Sequence, residues 1–399
     1  MQRLWIISEL FPPDETSTAC ILGEIANVMT QKYDVKVICG PEIYDKRKQL
    51  NSDHRFEVSK EVDILRVKGI ETDKNTFMGK SLRFAVISYQ LFQLAKQKIT
   101  REDKVLLVTN PAPLVVMISR LKKKVGFDLN VLVHDVFPEN IKPAGLKLPT
   151  FVYSILKKIF DKAYCGANQL LAIGRDMKQV LEKKVERYEH HPQTIVIENW
   201  ADLDNVSPQE RYEEVNRVDR KVEIEYAGNI GRVQGLQEFL KLLELSKNSQ
   251  LNFHLWGTGA EETNLTRYVR LHKMKNVKFH GAYFRSKQSD VINSCDIALV
   301  TLTKGMFGLG VPSKTYNIMA AGKPVLYIGD SYSEIGLLVK EKDIGYVFDP
   351  EDKVSIMKFL SNLTLDRLPE LKEKGEKAYK VAVEEYAKPI ILNKFVEAL

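Results

Sequence analysis

The chain has 399 residues, of which 44% are hydrophobic and 28% charged, and this size and balance predict a globular protein of two or three domains. Its four cysteines are scattered without zinc-site spacing, which argues against a disulfide framework or a zinc cluster, and no signal peptide or run of ~18 apolar residues is recognisable. The net charge of +7 lies wholly in residues 1–200, which hold 31 basic and 24 acidic residues, whereas residues 201–399 hold 28 of each.

Short apolar runs typical of buried strands alternate with helical patterns along the whole chain. Strands are predicted in the first half at 3–8, 35–40, 64–67, 104–109, 129–134, 170–173 and 194–197. Further strands are predicted in the second half at 223–227, 252–256, 277–280, 297–301, 325–328 and 346–348. This alternation predicts parallel sheets covered on both faces, and so many strands exceed one open sheet. The predicted fold class is therefore α/β, with two Rossmann-like domains.

The domain boundary is predicted near the polar segment 198–221, which lacks apolar periodicity. We therefore expect an N-terminal Rossmann-like domain over residues 1–200 and a C-terminal one over residues 201–386. Pro389 separates the last helical pattern from the preceding one, and we expect residues 387–399 to form a helix that packs back on the N-terminal domain. A ligand is expected between the domains, at the carboxyl ends of both sheets.

Two segments of the basic half, 80–98 and 151–162, combine lysines with aromatic and aliphatic residues. Helices of this kind fit contact with an anionic membrane surface, but the same pattern also fits core-packed helices with solvated lysines. Both interpretations stay open at this point. Nucleic-acid binding is not expected, because no basic cluster is interleaved with a recognised nucleic-acid module.

The stretch 305–330 is predicted to form a glycine-rich loop, a helix and a buried strand. Pro312 and Ser313 open this helix, with Ser313 as its N-cap, and Gly322 closes it. Lys314 then lies in the first helical turn, where a cation opposes the helix dipole, so the pattern indicates a phosphate ligand. The alternative is an ordinary packing unit with a solvated lysine.

Three further loops are predicted at the edge of the same sheet. The first contains Gly228, Gly231 and Gly235, whose backbone can approach a phosphate closely, together with Arg232. The other two loops, at 255–259 and 279–284, suit a nucleobase or a ribose. Each of the three also fits a plain packing turn whose aromatic residues belong to the core.

The loops occur in a recognisable order, as YAGNIGRVQGL, WGTGAEE, NVKFHGAYFRSK, DIALVTL and GLGVPSKTYNIMAAGKPV in the second half, after SELFPPDETSTACILGEIA, HDVFPE and ENWAD in the first. This order resembles family 4 glycosyltransferases of the GT-B fold, in which two Rossmann-like domains face each other across a cleft. The resemblance covers nearly the whole chain, and its VPSK…Y…MAAGKP pattern is the most specific part. The chain is most similar to bacterial O-antigen and capsule enzymes of the N-acetylfucosamine transferase type.

The resemblance implies an enzyme that transfers a sugar from a nucleotide sugar to an acceptor hydroxyl with retention of the anomeric configuration. UDP is the implied nucleotide, and an N-acetylated or deoxy hexose is the implied sugar. Ser313 and Lys314 match the residues that hold the diphosphate, with Arg232 as a helper. Asn229 and Gln234 stand where the family usually has an arginine and a lysine, so Lys314 would supply most of the phosphate neutralisation.

The Glu-x7-Glu pair of the family is also altered in this chain. Asn317 stands at its second position, where an amide can still hydrogen-bond a ribose, and Leu309 stands at the first. Backbone groups of the glycine-rich loop would contact the sugar or the phosphates instead, and Ala282 and Tyr283 match the nucleobase contacts. The implied donor-binding residues are Gly228, Asn229, Gln234, Gly257, Ala282, Tyr283, Gly310, Ser313 and Asn317, and the implied catalytic residues are His134, Lys314 and Arg232.

On the acceptor side, the resemblance implies roles for the loop after the first strand and for the segment HDVFPE. His134 resembles the family histidine near the donor sugar, although a histidine at a strand end is often a structural hydrogen-bonder. Glu139 is expected either to orient the acceptor or to be an exposed loop acid. The implied acceptor-side residues are Glu15, Thr16, Ser17, Thr18, Asp135 and Glu139.

No nucleophilic carboxylate is evident, so we expect a front-face attack in which the leaving diphosphate accepts the acceptor's proton. No metal motif lies in the predicted cleft, so we expect neither a metal nor another cofactor. The expected partners are a nucleotide sugar, a polyprenyl-diphosphate-linked saccharide and the anionic inner face of the plasma membrane, with a cytoplasmic, peripheral protein. Two alternatives stay open, a non-catalytic GT-B partner subunit and a nucleotide-sugar 2-epimerase.

Overall fold

The computed structural model describes residues 1–42, 56–70, 77–146, 148–209 and 220–399, which form two parallel β-sheets with helices between successive strands. The strands of the first half are β1 (Arg3–Ser8), β2 (Asp34–Cys39), β3 (Asp63–Arg66), β4 (Lys104–Val108), β5 (Asp128–Val133), β6 (Gln169–Ala172) and β7 (Gln193–Val196). Those of the second half are β8 (Val222–Ala227), β9 (Leu251–Trp256), β10 (Val277–Gly281), β11 (Ile297–Thr301), β12 (Val325–Ile328) and β13 (Gly345–Phe348). Each lies within one residue of its predicted bounds.

The two sheets have the strand orders of doubly wound folds, β3-β2-β1-β4-β5-β6-β7 and β10-β9-β8-β11-β12-β13. In each sheet the order reverses beside the first strand of its half, β1 or β8, which places a crevice at the carboxyl ends of those strands. The sequences of central strands such as β4 and β5 are mostly apolar because helices cover both faces of these strands. The predicted α/β fold class is confirmed.

The connecting helices complete the two layers around each sheet. They are α1 (Ser17–Met29), α2 (Phe77–Lys98), α3 (Ala112–Val125), α4 (Thr150–Cys165), α5 (Arg175–Val185), α6 (Leu236–Ser246), α7 (Glu262–Leu271), α8 (Gln288–Asn293), α9 (Lys314–Ala320), α10 (Glu334–Glu341), α11 (Lys353–Ser361), α12 (Leu368–Glu385) and α13 (Lys388–Ala398). The last helix lies against α1, where Lys388 pairs with Glu24 at 2.9 Å and the Tyr33 hydroxyl donates to the carbonyl oxygen of Leu399.

The hydrophobic core is shared unequally by the two halves. One cluster lies between β8, β9 and helices such as α6 and α11 of the second half. The other begins in the N-terminal sheet and continues through α9, α10 and α12 to α13. Within it the buried rings of Tyr316 and Tyr386 have centroids 5.1 Å apart. Because the larger core continues from one half into the other, apolar packing sets how the halves face each other.

The helix after the glycine-rich loop differs from its prediction at its start. α9 begins at Lys314, and Ser313 already has helical angles of φ −59° and ψ −24°. Its side chain makes no capping hydrogen bond, because such a cap needs an extended backbone like that of Thr16 (ψ 150°) before α1. Ser313 therefore occupies the predicted N-cap position, but the prediction that its side chain caps the helix is wrong. Gly322 takes a left-handed φ of 63° beyond the end of α9, as predicted for the closing glycine.

Two predictions fall partly outside the described residues. The predicted boundary segment 198–221 includes residues 210–219, which lie outside the described residues. The predicted helix 80–98 lies within α2, but its first two side chains are not described. The predicted helix 151–162 lies within α4. Across the part of the chain that the structure describes, no helix combines the length and the apolar character needed to cross a membrane.

Candidate functional site

The carboxyl ends of β8, β9 and β10 carry three loops that hold one another. The N–H of Gly228 donates to the carbonyl oxygen of Trp256 (2.9 Å), and the N–H of Gly257 donates to that of Gly281 (2.7 Å). Both bonds join backbone to backbone, so they do not depend on side-chain rotamers. The edge of the sheet is therefore one continuous surface rather than three independent loops.

Two glycines at this edge have conformations and contacts that exclude a side chain. Gly257 has a φ of 119°, and a Cβ atom there would lie 1.9 Å from the carbonyl oxygen of Gly228. Gly228 has a φ of 141°, and a Cβ atom there would lie 3.0 Å from the Nζ atom of Lys314. Gly257 is thus needed for the contact between two loops, whereas Gly228 leaves room for a lysine.

Lys314 projects from the start of α9 to this edge, where its charge has no oxygen partner among the described residues. Its Nζ atom is buried, lies 3.5 Å from the centroid of the Tyr226 ring and makes no hydrogen bond with any residue that the structure describes. Burial lowers the pKa of Lys314 to about 7, against the opposing attraction of the nearby Glu225 carboxylate. The alternative of a solvated lysine is wrong, and an arrangement of this kind favours an incoming anion.

The loop after β8 places its polar side chains differently from Lys314. Arg232 is 59% exposed, and its Nε atom lies 3.6 Å from a carboxylate oxygen of Glu261. Gln234 has a buried Oε1 atom with no hydrogen-bond partner in the described ranges. A Cβ atom on Gly231 would lie 2.6 Å from that oxygen and 2.8 Å from the Nδ2 atom of Asn229, so the two amides flank this glycine. In this structure the amides, rather than the guanidinium, lie at the inner side of the loop.

The loops after β9 and β10 form an aromatic stack. The rings of Trp256 and His280 have centroids 4.0 Å apart and planes 10° apart, and Tyr283 meets Trp256 edge-on. His280 contacts His254 through ring nitrogens 2.8 Å apart, and His254 contacts Glu223 at 2.6 Å. Ala282 and Tyr283, predicted to meet a nucleobase, therefore follow a strand end that is already ordered by stacking.

The glycine-rich loop 305–311 is held by the N-terminal half. The N–H of Gly308 donates to the Oδ2 atom of Asp176 (2.9 Å), and the N–H of Val136 donates to the carbonyl oxygen of Leu309 (3.1 Å). A Cβ atom on Gly310 would lie 3.6 Å from the Oδ1 atom of Asp135. The structure thus brings together Gly310 and the end of β5, although they belong to different sheets.

His134 and Asp135 follow β5 at the cleft, and desolvation by the surrounding protein shifts the pKa of both. The Nδ1 atom of His134 lies 3.5 Å from the Thr18 hydroxyl oxygen, and its Nε2 atom is buried with no partner among the residues described. Burial lowers the pKa of His134 to about 4, so its imidazole is neutral at pH 7. The Asp135 side chain is exposed to solvent, and desolvation by the surrounding protein raises its pKa, against an opposing hydrogen bond from Asn140. His134 is therefore not fully satisfied by structural hydrogen bonds.

The predicted acceptor-side loop is built around the start of α1. The hydroxyl oxygen of Thr16 accepts the N–H of Ala19 (3.4 Å), so Thr16 is a helix cap. Glu15 and Ser17 are exposed, whereas Thr18 faces His134. Of these four residues, Thr18 is the one whose side chain contacts another predicted site residue.

Glu139 is neither exposed nor without partners. Its carboxylate lies 2.6 Å from the Nζ atom of Lys184 and 2.9 Å from that of Lys157. Both lysines also pair with the buried Asp161, which additionally contacts Arg187. The expectation of an exposed loop acid is wrong, because this cluster needs Glu139 to fix the segment after β5 against α4 and α5.

Asn317 contacts the segment that connects the two halves. Its Oδ1 atom accepts the N–H of Asp202 (3.0 Å), and the Asp202 carboxylate pairs with Arg285 at 2.9 Å. The residue predicted to bind a ribose is thus hydrogen-bonded beside the boundary between the halves. Arg285 belongs to the loop after β10 and is half-buried.

Several contacts between the halves involve residues that sequence reasoning missed. Asp176 binds Gly308, and Arg175 makes a forked ion pair with Glu334 (3.1 Å) and Glu341 (3.0 Å) of α10. The partners are 132 to 166 positions apart in the chain. No motif marks them, because a salt bridge across two domains leaves no periodic pattern in a single sequence.

Comparisons with known proteins agree with this architecture. A family model for glycosyl transferases group 1 matches residues 208–381. The probable glycosyltransferase WbjE of Pseudomonas aeruginosa is 31% identical over 401 residues, which span 99% of this chain and 97% of that protein. The putative colanic acid biosynthesis glycosyl transferase WcaI of Escherichia coli is 24% identical over 172 residues, 40% of this chain and 41% of that protein. The structure of HepE from Anabaena in complex with UDP and glucose is 15% identical, with a TM-score of 0.71 over 100% of this chain and 99% of that one, and shares the fold.

Proposed function

Because this chain belongs to the group 1 glycosyl transferase family, we propose that it moves a sugar from a UDP-sugar to a lipid-linked saccharide in the synthesis of a cell-surface polysaccharide. The chain is a glycosyltransferase enzyme. The complexes of HepE with UDP support the nucleotide, since the fold is shared. The name of WcaI, which refers to colanic acid biosynthesis, supports the polysaccharide. The sugar that we propose is an N-acetylated or deoxy hexose, which rests on the sequence resemblance alone.

The observation that carries this proposal is the buried, unpartnered ammonium of Lys314. A diphosphate at the edge formed by Gly228 would supply the anion that this Nζ atom lacks in the described structure. An ammonium in a low-dielectric site interacts more strongly with developing negative charge than it would in water. Lys314 would therefore stabilise the leaving diphosphate as the glycosidic bond breaks.

We propose that the transfer retains the anomeric configuration through a front-face attack. In that reaction the leaving diphosphate accepts the proton of the acceptor hydroxyl, so the protein need not supply a strong base. The neutral imidazole of His134, with Nε2 unpaired among the described residues, can donate or accept one hydrogen bond at the sugar. A divalent metal is not required in this scheme, because Lys314 supplies the cation at the phosphate. Full activity in EDTA is the expected result.

The test of the function is transfer of a radiolabelled sugar from UDP-sugars to a polyprenyl-diphosphate-linked saccharide. A thermal-shift panel of nucleotide sugars selects the donor first, because a ligand that binds only the native state raises the melting temperature. Transfer to the lipid-linked acceptor is expected. A donor that binds without transfer would favour a non-catalytic partner subunit, and isomerisation of the donor sugar would favour a 2-epimerase.

We further propose that α4 and the segment before it contact an anionic membrane surface on the cytoplasmic side. Phe151 is 69% exposed and Ile155 55% exposed on α4, in the basic half of the chain. Lys142 lies with its Nζ atom 4.0 Å from the centroid of the Tyr153 ring. Beside them is a half-open cavity of about 420 Å³ lined by Ile141, Lys142, Gly145, Leu146, Leu148 and Tyr153. Apolar side chains flanked by lysines suit an interface with acidic lipids.

Flotation with liposomes tests the membrane proposal. The double variant Phe151→Glu/Ile155→Glu should lose binding to vesicles that contain phosphatidylglycerol, because two charges replace the inserted side chains. Val354→Glu is the matched control, since Val354 is 71% exposed on α11 in the half without net charge. Wild-type binding that is equal for neutral and acidic vesicles would contradict the electrostatic part of the proposal.

A further inference from the structure

A carboxylate of the N-terminal half binds the backbone of the donor-side loop. Asp176 lies in the first turn of α5, and its side chain is buried. Its Oδ1 atom accepts the N–H of Met177 (2.9 Å), and its Oδ2 atom accepts the N–H of Gly308 (2.9 Å). Hydrogen bonds from N–H groups to an ionised acceptor are short and directional, so this contact fixes where Gly308 lies.

Gly308 has no room for any other residue at this contact. Its φ is 66°, and a Cβ atom would lie 2.6 Å from the carbonyl oxygen of Asp176 and 2.5 Å from the Cγ2 atom of Val180. The neighbouring residue adds a second attachment, since the carbonyl oxygen of Leu309 accepts the N–H of Val136 (3.1 Å). Two consecutive residues of the loop are thus held by two different elements of the N-terminal half.

The attachment of the loop affects residues on both sides of the cleft. Gly310, which follows Leu309 in the loop, lies against Asp135 and the carbonyl oxygen of His134. Lys314, at the start of α9, follows four residues later. The position of the loop therefore determines how the lysine of one half is placed relative to the histidine of the other.

We propose that Asp176 is a positioning residue for sugar transfer: by holding Gly308, it sets the glycine-rich loop against His134 and Asp135 and thus fixes the geometry of the site. The inference rests on the proposed function for its catalytic part. Asp176 does not contact the reacting atoms in this scheme, so it acts through the loop. Without this contact the loop would be displaced from His134 and Asp135.

Neighbouring residues offer two matched controls. Arg175 joins the halves through Glu334 and Glu341 but does not contact the loop. Asp103 is, like Asp176, a buried carboxylate of the N-terminal half, and it accepts hydrogen bonds from Trp5 and Thr100 far from the cleft. Arg175→Ala therefore weakens the ion pairs between the halves while Asp176 still holds Gly308. Asp103→Asn removes a buried carboxylate, together with its ion pair to Arg3, away from the loop.

The experiment compares hydrogen–deuterium exchange of peptides spanning residues 303–311 in the full-length wild type, Asp176→Asn and both controls. Asp176→Asn keeps one acceptor oxygen for the two backbone N–H groups of Met177 and Gly308, so one of them must face the amide N–H₂ and the attachment is weakened. Exchange over residues 303–311 should therefore rise by about tenfold or more. The same variant should lower kcat about 10- to 100-fold, whereas the Kd for UDP should change less than about threefold, because Lys314 remains. Gly308→Ala is the second variant and should reproduce both effects.

The outcomes separate this inference from the proposed function. Unchanged exchange at 303–311 in Asp176→Asn, or an equal rise in Asp103→Asn, would overturn the positioning role. Equal losses of kcat and of UDP affinity would also overturn it, because they indicate general destabilisation. If the wild type transfers no sugar, the proposed function fails, while the exchange data still decide whether Asp176 holds the loop.

Discussion

Two lysines with buried ammonium groups, one in each half of the molecule, differ in how their charge is balanced. Lys184 on α5 lies 2.6 Å from Glu139 and 2.7 Å from Asp161. Lys314 on α9 lies over the Tyr226 ring and has no oxygen partner within the described residues. Burial lowers the pKa of both, and in the case of Lys184 the two carboxylates oppose the shift.

The comparison of Lys184 with Lys314 shows which of the two buried charges has a structural role. A paired lysine between helices holds them together, and its charge is balanced in the free protein. An unpaired buried ammonium destabilises the free protein, so its presence indicates a site where a ligand supplies the counter-charge. The contrast also places the two lysines in different halves, with the paired cluster in the N-terminal half and the unpaired charge in the C-terminal half.

The largest effect is expected from Lys314→Ala, which removes the unpaired charge. Turnover should fall by about 10²–10³, the factor for losing one preorganised donor to a developing anion. The protein should remain folded, because the Nζ atom of Lys314 makes no hydrogen bond with the described residues that the variant would break. Steady-state kcat with saturating donor and acceptor measures the effect, and wild-type turnover in this variant would refute the diphosphate role.

Lys184→Met should lower the stability of the protein and leave its turnover unchanged, the reverse of Lys314→Ala. It leaves Glu139 and the buried Asp161 with fewer cations, so the free energy of unfolding should fall by about 3 kcal/mol, while Lys157 and Arg187 limit the loss. Turnover per folded molecule should not change. Urea unfolding measures the stability, and Lys183→Met, an exposed neighbour on the same helix, is the control. Equal losses in both variants would contradict a structural role for the cluster.

The affinity for UDP should depend on pH through Lys314. Its pKa is about 7 in the free protein, and a bound diphosphate raises it, so binding takes up a proton. The Kd should therefore rise as the pH increases above 7, by up to about tenfold per pH unit until the pKa of the bound state is reached. Calorimetry between pH 7 and 9 measures this slope. In Lys314→Met the slope should vanish, and a slope that persists would assign it to another group.

The smallest effect is expected from Arg232→Ala. Its guanidinium is exposed and lies beside Glu261 rather than at the buried edge, so turnover should change less than about threefold. Measurement of kcat/KM for the donor checks this. A loss comparable to that of Lys314→Ala would show that Arg232 turns toward the diphosphate when the donor binds, as the sequence resemblance implies.

Most of the fold could be predicted because it depends on local patterns. The strand bounds follow from short apolar runs, and the end of α9 follows from Gly322, which adopts a left-handed backbone. The motifs at the strand ends predicted a glycosyltransferase of the GT-B fold, and both the family and the fold are confirmed. Ser313 was mispredicted because cap preference is statistical, whereas its actual backbone is set by the loop that precedes it.

The site was predicted less completely because its geometry depends on distant contacts. Glu139 has the surroundings of a loop acid in the sequence, yet Lys184, 45 positions away, covers it. Lys314 could be located by motif, but its burial over Tyr226 could not. The attachment of Gly308 to Asp176 spans 132 positions and has no local signature.

The sequence by itself determined the alternation of strands and helices, the family and the chemical types that line the strand ends, because hydrophobic periodicity and turn residues act over a few positions. Only the tertiary structure decided which charges are balanced and which are left open to a ligand. That outcome depends on burial and on partners brought together from both sheets, and the free energy of a charge in a protein is set by those surroundings rather than by its neighbours in the chain.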